Sequence, residues 1–174
     1  LKEAYRLNRQ HQLVSNQIAC LRQLGIVIAD QGRWQEAHTY LAEALPLCKQ
    51  AGDEDQILLV LNALGNLSIS TGNYTQARTY FDEAMALAQA AGNTLRIAIL
   101  HSNIAIIDNR EGSPREAIRQ WQLAQQGFVQ LNHEVGLANT HHNIAMAYTR
   151  LAAYDEALAS IQAANALHKK VGHK

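Results

Sequence analysis

The chain has 174 residues and carries fifteen Lys plus Arg against fifteen Asp plus Glu, so its formal net charge is zero. This balance argues against a nucleic-acid groove, which normally needs a basic excess, and against electrostatic attachment to an anionic membrane. No apolar run approaches the roughly 20 residues that a helix needs to span a bilayer.

An internal repeat with a period of 40 residues organises the sequence. An alanine recurs at this interval, and a second alanine follows each one seven residues later: Ala37 with Ala44, Ala77 with Ala84, Ala117 with Ala124, and Ala157 with Ala164. The pattern predicts a single array over 1–174, with repeats at about 18–57, 58–97, 98–137 and 138–174.

The first predicted element, in residues 1–17, is the end of a preceding repeat followed by a linker. Leu1 lies 40 residues before Leu41, and Ala4 lies 40 before Ala44. We therefore expect the chain to be a fragment of a longer protein, with Leu1 at an exposed core position. Self-association through residues 1–11 is one predicted way to bury such positions.

Each repeat is predicted to form two antiparallel helices. On the second helix of one repeat, Ala77, Phe81 and Ala84 are spaced i, i+4 and i+7, which places them on one stripe. A small residue such as Gly65 on the first helix lets the two helices approach, and Phe81 fills the space beside it. The same slots in the other repeats hold Gly25 with Leu41, Ala105 with Trp121, and Ala145 with Ile161.

Residues that favour helix ends recur with the same period. Those that accept a left-handed conformation fall where second helices should end: Gly52, Gly92, Asn132 and Gly172. Capping or negative residues follow near the next helix starts: Asp53, Asn93 and Glu134. Ser113, Pro114 and Glu116 predict a capping box at the start of one second helix.

These residues resemble the tetratricopeptide repeat, whose slots in the second repeat hold Leu64, Gly65, Gly72, Tyr74, Ala77, Phe81 and Ala84. The 40-residue period is similar to the long-repeat subclass of kinesin light chains, spindle-orientation adaptors, and sensor arrays of bacterial signalling ATPases and transcription activators. The resemblance implies an all-α fold, a right-handed alpha-alpha superhelix of antiparallel helix pairs. It also implies a concave binding face lined by the first helices.

The residues expected on this concave face combine amides, apolar groups and arginines, a mixture that suits a peptide. They are Arg22, Ile26, Asn62, Asn66, Ser102, Ile106, Arg110, His142, Met146 and Arg150. Asn can bond to both N–H and C=O of an extended backbone, and Arg can hold a carboxylate in a two-pronged contact. Arg110 and Arg150 predict a positive patch for acidic residues or a free C-terminus. The competing interpretation is ordinary solvated side chains.

Three polar residues admit both a structural and a functional interpretation. His101 and His141 occupy equivalent positions on successive first helices, but no supporting ligand motif accompanies them. We expect half-buried core histidines and no metal site. Asp108 occupies an inward slot, and an unpaired buried carboxylate is costly, so we predict a hydrogen bond from Tyr148 or a nearby histidine.

The two cysteines, Cys20 and Cys48, are too few for a disulfide framework and fit small core positions. No signal segment occurs, and a cytoplasmic location with reduced thiols is the expectation. The sequence contains no Gly-rich phosphate loop, nucleophile elbow or dinucleotide fingerprint. It therefore predicts no enzyme and no cofactor.

The leading prediction is a protein–protein interaction module that binds a peptide or helix in the concave groove. The partner would be another protein or another domain of the same chain, with no nucleic acid and no membrane. One alternative is a ligand-sensing or autoinhibitory array of a bacterial signal-transduction ATPase or transcription regulator. Another is a self-assembly scaffold, as a homodimer through exposed ends of the array.

Overall fold

The computed structural model describes residues 14–172, and across them the chain forms α-helices joined by short turns, with no strand. The helices are α1 (Val14–Asp30), α2 (Trp34–Ala51), α3 (Glu54–Ser70), α4 (Tyr74–Ala90), α5 (Thr94–Arg110), α6 (Pro114–Gln130), α7 (Glu134–Arg150) and α8 (Tyr154–Gly172). They form four pairs with the predicted period, which confirms the all-α fold of antiparallel helix pairs. The predictions for Leu1 and for residues 1–11 lie outside the described residues.

The chain divides into two compact units, Leu1–Leu87 and Ala88–Lys174, and the boundary falls inside α4. Unit 1 contains α1, α2, α3 and most of α4, and unit 2 contains the end of α4 and α5 to α8. Along residues 14–172, no helix combines the length and the apolarity that crossing a membrane requires.

In unit 1 the close packing of each helix pair depends on a glycine that faces a large side chain. A Cβ atom at Gly25 would lie 2.6 Å from Cγ of Leu41, and one at Gly65 would lie 2.6 Å from Cζ of Phe81. Leu41 and Phe81 are both buried, at 1% and 0% exposure. The predicted pairing of small first-helix residues with large second-helix residues is confirmed at these two positions.

In unit 2 an alanine takes the glycine position of the first full pair. Ala105 and Trp121 belong to one buried cluster, which also includes Ile144 of the next first helix. Phe128 belongs to a second cluster, built with small residues of α5 and α6. Large second-helix side chains packed against small first-helix residues therefore contribute to the cores of both units.

The turns use left-handed backbone at regular positions. Positive φ values occur at Gly32, Gly52, Gly72, Gly92, Gly112, Asn132 and Ala152. The predicted left-handed ends of second helices are thereby confirmed at Gly52, Gly92 and Asn132. Ala152 takes the place that glycine holds in the other repeats, with a φ of 56°. Its Cβ atom makes this conformation unfavourable by about 1–2 kcal/mol.

Side chains cap the first helices at equivalent positions. Oδ1 of Asp53 accepts the backbone N–H of Gln56 at 3.1 Å, and Asn93 makes the same contact, also at 3.1 Å, in the next repeat. At the start of α7 the cap is His133, whose Nδ1 accepts the N–H of Gly136 at 3.0 Å. These contacts confirm the expected caps at Asp53 and Asn93 and add one at His133 that the sequence analysis missed.

The capping box predicted at the start of α6 is wrong in its side-chain contacts. Ser113 does occupy the N-cap position and Pro114 follows it, but the Ser113 hydroxyl makes no capping hydrogen bond. Glu116 pairs instead with Arg119 one turn further along the helix. The carboxylate therefore has a charged partner on its own helix, which competes with the backbone N–H that a capping box requires.

Candidate peptide-binding grooves

A cavity of about 250 Å³ lies between α1 and α3 in unit 1. We call it the first groove, and it is lined by Arg22, Ile26, Ala29, Asp30, Leu41, Leu59, Asn62, Ala63, Asn66, Leu67 and Ser70. Four of the ten residues predicted for the binding face lie here: Arg22, Ile26, Asn62 and Asn66. They meet because α1 and α3 run in the same direction on either side of α2, one repeat apart.

The electrostatic feature of the first groove is the guanidinium group of Arg22. Its Nε atom is buried and has no hydrogen-bond partner among the described residues. The group presents its donors in a fixed fork. Arg22 also lines the cavity, and its guanidinium group carries further N–H donors for an acceptor on a ligand.

A second cavity, of about 290 Å³, lies between α5 and α7 in unit 2. We call it the second groove, and it is lined by Ile99, Ser102, Asn103, Ile106, Phe128, His133, Val135, Gly136, Asn139, Thr140 and Asn143. It contains Ser102 and Ile106 from the predicted binding face. The Ser102 hydroxyl is buried without a hydrogen-bond partner among the described residues. Its three asparagines and its apolar floor give this groove a neutral lining.

The other four predicted binding residues, Arg110, His142, Met146 and Arg150, are exposed and line neither groove. Arg150 is engaged within unit 2: its Nη1 donates to the backbone carbonyl oxygen of Asn109 at 2.6 Å and lies 3.3 Å from Oδ1 of the same residue. Asn109 is next to the last residue of α5, where carbonyl groups lack partners within the helix. Arg150 thus stabilises the end of a neighbouring helix.

The polar residues set into the first helices of unit 2 are buried or half-buried, as predicted. Nδ1 of His101 donates to Oε1 of Gln120 at 2.7 Å. Burial lowers the pKa of His141, because the apolar surroundings disfavour the imidazolium form. Asp108 is 9% exposed, which confirms that it is buried. Its predicted donor, Tyr148 or a histidine, stays a prediction.

Cys48 is fully buried, while Cys20 is half-buried. Burial raises the pKa of the Cys48 thiol to about 11, the Asp53 carboxylate adds to this rise, and the positive charge of Arg22 opposes it. The thiol is therefore protonated at neutral pH and behaves as a small apolar core group, as predicted. Within residues 14–172, no group of three or more His, Cys, Asp and Glu side chains is arranged to hold a metal ion.

A third cavity, of about 310 Å³, lies on the second-helix side of unit 1 and was missed by the sequence analysis. Its lining includes Trp34, His38, Asn73, Gln76 and Tyr80. Trp34 is 46% exposed, and Tyr154 in the equivalent slot of the fourth repeat is 68% exposed. The register of the repeat identifies this position in the sequence, but the exposed fraction of the Trp34 ring is known only from the folded chain.

The helix pairs and the grooves between successive first helices define a helical-repeat binding protein. The sequence matches the family model described as Tetratricopeptide repeat over residues 17–90 and again over residues 56–124. The chain therefore belongs to the tetratricopeptide repeat family. No curated protein sequence matches the chain significantly.

Solved structures share this fold at low sequence identity. BtubC (BKLC) from P. vanneervenii superposes with a TM-score of 0.79 and 17% identity, over 92% of this chain and 66% of that one. RapI in its apo form gives 0.78 and 15%, over 97% and 69%. A Rap protein complexed with Competence and Sporulation Factor gives 0.63 and 17%, over 99% and 58%. The chain thus spans just under two thirds of the length of BtubC.

Proposed function

We propose that this chain is a protein–protein interaction module, and that the first groove holds an extended peptide segment of its partner. The partner is another protein or another domain of the same chain. The half-buried Arg22 carries the proposal, because its guanidinium group provides a charged donor in a residue that lines the cavity. Cytoplasmic location and a binding role without catalysis accompany this proposal.

The composition of the first groove supports a peptide as the ligand. Asn62 and Asn66 are one helical turn apart on α3, and each carboxamide can donate and accept hydrogen bonds with a peptide backbone. Ile26 and Leu59 add apolar surface between the polar groups. A groove formed by packed helices is already ordered. Binding there therefore costs the ordering of the peptide without a further cost for ordering the protein.

The experiment is to select peptides from a random display library on the purified chain, and then to measure their affinities by fluorescence anisotropy. We expect enriched peptides to bind the native chain and to lose about tenfold or more in affinity with Arg22→Gln, because a charge-assisted hydrogen bond is removed. Asn66→Ala should weaken binding without unfolding, because Asn66 is exposed.

The matched control is Arg33→Gln, which makes the same chemical change in the same unit. Arg33 is an exposed residue in the turn before α2, pairs with Glu36, and does not line the first groove. Peptide affinity should be unchanged in this variant. The proposal would be wrong if no peptide were enriched, or if the enriched peptides bound the Arg22→Gln and Asn66→Ala variants as tightly as the native chain.

A second candidate is a sensor array, in which the bound molecule switches a larger signalling protein. The observation that favours it is the structural similarity to a Rap protein complexed with Competence and Sporulation Factor. Bacterial origin and a role in signalling belong to this candidate. In this case a ligand bound in the first groove should change the hydrogen-exchange protection of the helix ends, and not only that of the residues that line the groove.

A further inference from the structure

The first groove has a regular order of charges along α1. Arg22, Ile26 and Asp30 are spaced i, i+4 and i+8, and all three line the cavity. Each step of four residues advances about 6 Å along the helix, so the cation and the anion are separated by about 12 Å. Arg22 and Asp30 are the charged residues among the described residues that line this groove.

An extended peptide has nearly the same repeat length as this helix stripe. Its side chains alternate between two faces and advance about 3.3 Å per residue, so residues i, i+2 and i+4 point the same way at intervals of about 6.6 Å. Three alternate side chains of an extended peptide can therefore meet Arg22, Ile26 and Asp30 in turn. The intervening two side chains point away from α1.

The opposite wall of the groove has a matching spacing. Asn62 and Asn66 stand one repeat after Arg22 and Ile26, and are also separated by about 6 Å along α3. In an extended chain the backbone N–H and C=O groups that face one side recur every second residue, at about 6.6 Å. Two successive carboxamides can therefore bind two successive backbone positions of the same peptide.

From this geometry we infer that the first groove recognises an extended segment of the pattern acidic–x–apolar–x–basic. The acidic side chain meets Arg22, the apolar side chain meets Ile26, and the basic side chain meets Asp30. The inference rests on the proposed function and specifies its ligand. Charge complementarity defines this occupant: an acidic side chain pairs with the guanidinium group of Arg22, and a basic side chain pairs with the carboxylate of Asp30.

The test uses synthetic capped heptapeptides in a serine frame, with affinity measured by fluorescence anisotropy. The reference probe is Ser-Glu-Ser-Leu-Ser-Lys-Ser, and a second probe has Glu and Lys exchanged, because the direction of the bound chain selects one order. Further heptapeptides place Glu and Lys two or three residues apart or replace both by Gln, and a longer peptide of eleven residues in the same serine frame places them eight apart. We expect the four-residue separation in one order to bind about tenfold or more tightly than the Gln peptide.

Variants of the groove residues identify which charged residue of the groove binds which charged side chain of the peptide. In the Arg22→Gln variant, replacing the Glu of the reference probe by Gln should no longer change the affinity. In the Asp30→Asn variant, replacing its Lys by Gln should no longer change the affinity. The double variant Arg22→Glu/Asp30→Lys should favour the peptide with the opposite order of charges. Asp30 is exposed, so its substitution leaves the core of unit 1 intact and keeps the test valid if Arg22 variants fold poorly.

Several outcomes would overturn the inference. If library-selected peptides bind and depend on Asn66 but show no charge order, the proposed function stands and the inference fails. If an eight-residue separation binds best, the occupant is a helix, since eight helical residues also span about 12 Å. If no peptide of either kind binds, the proposed function and the inference fail together.

Discussion

The two units build the same helix pairs, but their first helices present different chemistry. In unit 1 the stripe on α1 runs cation, apolar, anion, through Arg22, Ile26 and Asp30. The equivalent positions on α5 in unit 2 are Ser102, Ile106 and Arg110, of which the first two line the second groove. The 40-residue repeat therefore fixes where groove residues stand, and the residues outside the helix-pair contacts determine what each groove can bind.

The interiors of the two units also differ, because unit 2 has polar residues at positions where unit 1 has apolar or small residues. Where unit 1 buries Leu21 and Leu61, unit 2 has His101 and His141. Where unit 1 buries the small Ser68, unit 2 buries the carboxyl group of Asp108. Buried polar groups stabilise a fold only when their partners are in place, so unit 2 should be the more sensitive of the two to substitution and to acid.

The largest loss in free energy of unfolding is expected when Asp108 is substituted, and it should exceed the loss at the equivalent residue of unit 1, Ser68. The Ser68 hydroxyl donates to the carbonyl oxygen of Leu64 on its own helix at 2.9 Å, so Ser68→Ala leaves only a helix carbonyl with one bond fewer. We predict a hydrogen-bond donor to the buried Asp108, so Asp108→Ala should leave this donor without its acceptor, at a cost of up to about 3 kcal/mol.

Urea unfolding followed by Trp fluorescence measures this difference, because Trp121 in unit 2 is 1% exposed and reports its surroundings there. For Asp108→Ala, a Trp34→Phe background removes the signal from the half-exposed Trp34 in unit 1, whereas Ser68→Ala, which lies in unit 1, is followed by far-UV circular dichroism. Ser68→Ala should lower the free energy of unfolding by less than about 1 kcal/mol. Equal stability of the native chain and Asp108→Leu would rule out the buried hydrogen bond at Asp108.

A smaller loss is expected when a side chain is added at the glycine contact of unit 1. A Cβ atom at Gly65 would lie 2.6 Å from Cζ and 2.8 Å from Cδ1 of Phe81, whose ring is fully buried. Overpacking of this kind costs about 1–3 kcal/mol, more than the roughly 1 kcal/mol by which alanine favours a helix. Gly65→Ala should therefore destabilise the native chain.

The control for this prediction is the double variant Gly65→Ala/Phe81→Leu, in which a smaller side chain faces the new methyl group. Adding Gly65→Ala to a Phe81→Leu background should cost less than adding it to the native chain, as a double-mutant cycle by urea unfolding would show. If Gly65→Ala were neutral or stabilising in the native background, the glycine would not be required by the contact with Phe81.

An effect of about 1 kcal/mol is expected at the left-handed turn positions. Gly112 has a φ of 86°, and Ala152 occupies the equivalent turn with a φ of 56°. Gly112→Ala should lower the free energy of unfolding by about 1 kcal/mol, while Ala152→Gly should raise it by up to about 1 kcal/mol, since only glycine adopts this conformation without strain. Thermal unfolding of both variants measures the two signs, and the same sign for both would contradict the prediction.

The sequence was sufficient to predict the helix pairs, their period and the glycine contacts, because these depend on residue size and spacing alone. The register of the first helices also placed Arg22, Asn62 and Asn66 on one face. It could not show that Arg150 reaches Asn109, because a long side chain chooses among several carbonyl groups only in the folded chain. The register also placed Asp30 on this face with Arg22 and Ile26, but a single carboxylate on a solvated helix face carries no pattern that marks it for binding.

The smallest expected effect is a pH dependence confined to unit 2. Burial lowers the pKa of His141 in the folded chain, so the unfolded chain binds a proton more readily than the folded one. Stability is then at its full value above the ordinary histidine pKa of about 6.5, and falls as the pH drops below it. Unit 1 has Leu61 at the equivalent position, fully buried and without a titrating group.

Hydrogen exchange followed by mass spectrometry distinguishes the two units in this test. Between pH 7.5 and pH 5.5, after correction for the intrinsic exchange rate, the protection of α7 should fall more than that of α3. His141→Leu copies the unit 1 residue and should reduce this difference, whereas His168→Leu, an exposed histidine of α8, should leave it unchanged. If the acid-induced loss in α7 persisted in His141→Leu, another group would be the cause.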